Sequence, residues 1–327
     1  MKQRHRYGLE KVELEIAAVA AVAVGYFLLW PVLRGDEPLA AMSLLVGGGW
    51  GRFWTLAAAM GGLSAVCAVV TVSARPQTAL MAVLFGAGGL SLRSAQIRGL
   101  FWAHADAMGP LYGTLAVELL LLAGVVVGCM FIVAVVRAMA RRVVPRWVWQ
   151  GPPGIEGPHE RAAFWGDLAA LRAIFRQAAA SNKTAAGKGK DADKAVARTL
   201  GCAALSLAIS ATLVLSIARS PDRGQILFAL AGSFLLGSLI AHQVFPAPLG
   251  EVSWVGAVVF GLACYGLGAA SSIGEGPQGW THVQLAARAL PLDWITAGGG
   301  GAMLGYWISA RMHEARLLEA KQETQGA

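Results

Sequence analysis

Glu118 is the one carboxylate inside a long apolar run of this chain, PLYGTLAVELLLLAGVVVGCMFIVAVV over 110–136. An ionisable side chain in hydrocarbon is costly, so it is read first as a functional group. Thr114 lies one helical turn earlier on the same face. Together they could take up a proton or a cation during transport. The alternative is a protonated or arginine-paired glutamate that fixes helix packing, and Arg93 and Arg98 in the neighbouring loop are the candidate charge partners. A second polar pair, His242 and Gln243, falls near the end of a later run, where a single histidine fits hydrogen-bonded packing better than a metal ligand.

Other chemistry finds no support. His104, Asp106 and His282 fall between runs, without a third and fourth ligand at zinc spacing. The six histidines lie mostly in loops or at run ends, which leaves haem b without facing axial ligands. There is no GxSxG nucleophile motif, and GKGK at 187–190 lacks the spacing of a phosphate loop. Cys67, Cys129, Cys202 and Cys264 all sit inside apolar runs and read as small apolar residues. No catalytic set, metal or cofactor is expected.

The elements that must position these residues follow from composition. Of 327 residues 56% are hydrophobic and 14% charged, roughly half the usual charged share. The apolar residues cluster in runs near the ~20 residues that a helix needs to cross a bilayer. The expected fold is all-α, a polytopic integral membrane helical bundle of about eight transmembrane helices. The spans are placed near 14–33, 53–73, 77–92, 110–136, 198–218, 225–244, 253–272 and 294–310. The third is short, and Arg93 must end it or snorkel to the surface.

A polar stretch divides the chain into a first membrane half over 1–142, a cytoplasmic linker over 143–197, a second half over 198–312 and a tail over 313–327. Each half would hold four helices. Within the linker an amphipathic helix is expected over 160–178, because Phe164, Leu168, Leu171 and Phe175 repeat at helical spacing while Arg172 and Arg176 point elsewhere. It could lie on the membrane surface or pack against a protein. Gly124 with Gly128, and Gly301 with Gly305, form GxxxG pairs that let helices approach closely.

Most of the 27 Lys and Arg, including every lysine, fall on the side that carries both termini, which points to both termini being cytoplasmic. Ten of the eleven tryptophans fall near expected span ends, as interfacial indoles do. Ala-, Gly- and Arg-rich usage fits the inner membrane of a high-GC bacterium. The expected partners are the lipid bilayer and, through small-residue faces, a second copy of the chain or another membrane subunit. Nucleic acid is not expected, since the basic residues lie between the runs rather than on a compact domain. Three functional classes follow: a small-solute or ion transporter with Glu118 as coupling carboxylate, a non-enzymatic scaffold or assembly subunit, and a membrane enzyme acting on lipid or quinone.

Overall fold

The computed structural model describes residues 2–34, 41–46, 49–94, 97–148, 189–247, 250–272 and 283–326. The helix expected over 160–178 lies outside the described residues. Among these, every regular element is helical: α1 (2–33), α2 (Gly49–Val70), α3 (Pro76–Arg93), α4 (Arg98–Ala103), α5 (Met108–Val143), α6 (Gly189–Ile217), α7 (Arg223–Val244), α8 (Val255–Ser271) and α9 (291–326). Among the described residues five stretches are long and apolar enough to cross a membrane: Leu9–Leu33, Gly49–Val70, Ala105–Val143, Ala197–Ile217 and Arg223–Val244. Val255–Ser271 is apolar but shorter. The protein is a membrane-embedded helical bundle.

Neither α3 nor α9 belongs to those five, and their surroundings explain why. Between Thr78 and Ser91 every residue of α3 except Phe85 and Gly88 is buried. A helix enclosed by other helices can carry Gly, Ser and Thr that lipid would penalise. The expected third span, read as short and ambiguous, is thus the central rod of the bundle, packed by α1, α2, α5 and α9.

Close approach to that rod requires small residues. A Cβ on Gly25 would fall on the Gly86 carbonyl oxygen, and one on Gly89 would crowd the Val22 carbonyl and the Tyr26 amide. At this crossing α1 widens into a π turn, Val24–Leu29, immediately before a last turn that contains Pro31. Proline lacks the N–H that the carbonyl four residues earlier would use, which disrupts the regular ladder there. A second π turn, Trp294–Gly299, follows Pro291 in α9 and also packs on α3.

Glycines also knit α7 to α9. Cβ atoms on Gly301 and Gly305 would strike the carbonyls of Ala231 and Leu235 in α7. Gly261 and Gly268 of α8 lie under Leu119 and Tyr112 of α5, so these two helices interdigitate. Gly124 and Gly128 differ: both are exposed, with nothing within 4 Å of a Cβ at either among the described residues. The buried stripe of α5 runs through Leu115, Leu119, Leu122 and Val126, and places these two glycines on the other side of the helix. The tryptophans also divide. Trp50, Trp54, Trp102 and Trp147 are exposed, whereas Trp30, Trp254, Trp294 and Trp307 are buried in the protein.

Candidate functional site

Two polar layers bracket the apolar part of the bundle. At the terminal end, named for the N- and C-terminal helices that meet there, Glu10 of α1 pairs with Arg75 at 3.5 Å and with Arg311 of α9 at 3.1 Å. Arg75 also pairs with Glu314. Burial alone would lower the Arg75 pKa, but Glu314 and Glu10 outweigh it and raise it, so the guanidinium stays charged. Arg137 of α5, 3% exposed, donates to the carbonyls of Thr71, Val72 and Ala74 and so caps the turn after α2.

His242 and Gln243 belong to the same end. His242 Nδ1 lies 2.8 Å from Ser309 Oγ, and Gln243 Nε2 donates to that oxygen at 2.7 Å. The imidazole packs edge-on against Tyr306 at 4.5 Å and His313 at 5.3 Å. This arrangement fastens α7 to α9. Among the described residues no group of three or more His, Cys, Asp or Glu could hold a metal ion.

The opposite end holds Glu118. It lies on the buried stripe of α5 and is 0% exposed, with its carboxylate turned into the protein. Ser43 Oγ donates to Oε2 at 2.6 Å and the Leu45 amide donates to the same oxygen at 3.2 Å. Oε1 is buried with no hydrogen-bond partner among the described residues. The partners come from the connection between α1 and α2, which the sequence did not flag because nothing in residues 41–46 marks them as inward-facing. Arg93 donates instead to the Tyr26 carbonyl at 3.0 Å and lies over the Tyr26 and Trp30 rings at 4.8 and 5.6 Å. Arg98 opens α4 with an exposed side chain. Thr114 turns back on its own helix, donating to the Pro110 carbonyl at 3.0 Å.

A second carboxylate in this layer went unremarked as a candidate site. Asp293 is 0% exposed and receives Arg223 of α7 through two bonds of 3.0 and 2.6 Å. Ser91 Oγ of α3 donates to Oδ1 at 2.8 Å and the Leu290 amide to Oδ2 at 2.9 Å. Arg223 also donates to the Ser91 carbonyl from Nε and Nη2. The only sequence signal was a Pro-Leu-Asp helix opening, where an acidic residue satisfies the first free amides.

Counted along the helices, the two layers are about as far apart as a hydrocarbon core is thick. At ~1.5 Å per residue, Glu118 stands about 28 Å along α5 from Arg137, and Asp293 about 27 Å along α9 from Arg311. Both separations match the ~30 Å hydrocarbon core of a bilayer. Glu118 belongs to the layer opposite the terminal end, and α5, 36 residues long, continues some two to three turns beyond it. No known family model, curated protein or solved structure matches the chain.

Proposed function

We propose that this membrane protein carries a small solute or ion across the inner membrane of a bacterium through eight crossings, with both termini cytoplasmic, and that Glu118 takes up the coupling proton or cation. One observation carries the reading: a fully buried carboxylate with Ser43 and Leu45 donating to Oε2 and, among the described residues, no hydrogen bond to Oε1. A buried charge with an unsatisfied lone pair is expensive. A proton or small cation at Oε1 relieves that cost, and its departure restores it, which is what a coupling group needs.

The test is flux into proteoliposomes under an imposed proton or sodium gradient. Glu118→Gln keeps the shape and removes the charge, so the variant should reconstitute normally and lose at least tenfold of the gradient-driven flux. Equal flux in wild type and variant, or none in either under both gradients, would end the reading. A scaffold role is the alternative, favoured by the exposed small-residue face of α5 at Gly124 and Gly128. Its expected sign is recovery of a stoichiometric second membrane protein with wild type and with Glu118→Gln alike. An enzyme acting on lipid or quinone draws less support, because His104 bonds its own helix at Leu100 and Arg93 is engaged with α1.

A further inference from the structure

Residues 41–46 join two membrane helices, yet Met42, Ser43 and Leu44 are 6%, 4% and 1% exposed. Non-helical backbone at that depth must find its hydrogen bonds elsewhere. The Met42 amide donates to Ser94 Oγ at 2.8 Å, the Leu45 amide to Glu118 Oε2, and the Val46 amide to Ser43 Oγ at 3.2 Å. Ser43 Oγ accepts from Val46, so its single proton is directed at Glu118. Two side chains, one just past α3 and one in α5, thus hold an otherwise irregular segment inside the bundle.

We propose that residues 41–46 complete the Glu118 site as its seal: seated on the ionised carboxylate they close the site from the end opposite the termini, the loop end, and loading of Glu118 loosens them. The inference rests on the reading of Glu118 as the loaded group. Both donors converge on Oε2, and hydrogen bonds to a charged acceptor are roughly twice as strong as those to a neutral one. A proton on Oε1 leaves Oε2 as a neutral carbonyl oxygen, so both bonds weaken together while neither is lost. The seal would then open in proportion to occupancy rather than by breaking a single contact. The other polar groups around the site are engaged or set back: Tyr265 of α8 donates to the Ala289 carbonyl at 2.7 Å, Tyr112 lies further along α5 with its hydroxyl buried, and Asp293 is neutralised by Arg223.

The experiment is cysteine accessibility in the full-length protein in proteoliposomes. With the four native cysteines replaced by alanine, Leu44→Cys is treated with a membrane-impermeant maleimide from the loop-end side. The parent should react slowly. Glu118→Gln, which keeps a neutral acceptor, should react roughly tenfold faster, and Glu118→Ala faster still. Ser43→Ala removes the principal donor while leaving the carboxylate, and should also speed labelling, so the outcome does not depend on one variant folding well. Fast labelling of the parent, or equal rates across parent, Glu118→Gln and Ser43→Ala, overturns the seal. Flux separates this from the transport reading. Faster labelling without loss of flux keeps the seal and sinks transport through Glu118, whereas loss of flux with unchanged labelling does the reverse.

Discussion

Asp293 and Glu118 show how differently two buried carboxylates of one layer can be held. Asp293 has an arginine in bidentate contact, a serine hydroxyl and a backbone amide. Glu118 has a hydroxyl and an amide on one oxygen. Removing one partner of a buried pair leaves the other charge uncompensated at about 3 kcal/mol or more, whereas replacing both with apolar groups is far cheaper. Asp293→Asn should therefore lower the thermal unfolding temperature in detergent markedly. Asp293→Asn combined with Arg223→Met should recover part of the loss. A double variant as unstable as the two single losses summed would show that the residues do not act as a pair.

At the scale of elements, the four glycines singled out from sequence fall into two opposite environments. Gly305 has the Leu235 carbonyl where its Cβ would be, so even Gly305→Ala must push α9 away from α7. Overpacking of this kind costs roughly 1–3 kcal/mol. Gly128 has open space instead, and Gly128→Ala should leave stability unchanged or raise it by up to about 1 kcal/mol through helix propensity. Denaturation in mixed micelles, both variants side by side, checks the contrast. If Gly128→Ala proved as damaging as Gly305→Ala, the exposed face of α5 would have to be covered by something in the membrane.

Across the whole molecule, the terminal-end network fixes a relation that charge counting could only suggest. Glu10, Arg75, Arg311 and Glu314 are in contact, so the start of α1 and the end part of α9 share one face of the bundle. The sequence puts most Lys and Arg on the side expected to carry both termini, so reporter fusions at Ala327 and near Lys188 should both read as cytoplasmic. A cytoplasmic reading at one and an external reading at the other would require an odd number of crossings between them and rule out the eight-span arrangement.

What the sequence determined by itself is the class of protein and the rough position of its apolar helices. Each of these depends on local composition or on spacing along one helix, quantities that a linear chain displays directly. Tertiary structure decided the rest. It made α3 the enclosed rod rather than a doubtful span, because burial by neighbours and not its own hydropathy sets its surroundings. It drew residues 41–46 onto Glu118 and joined Arg223 to Asp293 across 70 positions. It sent Gly124 and Gly128 outward while Gly301 and Gly305 went into a helix seam. The same GxxxG spacing served both, since spacing fixes which residues share a face but not which neighbour that face will meet.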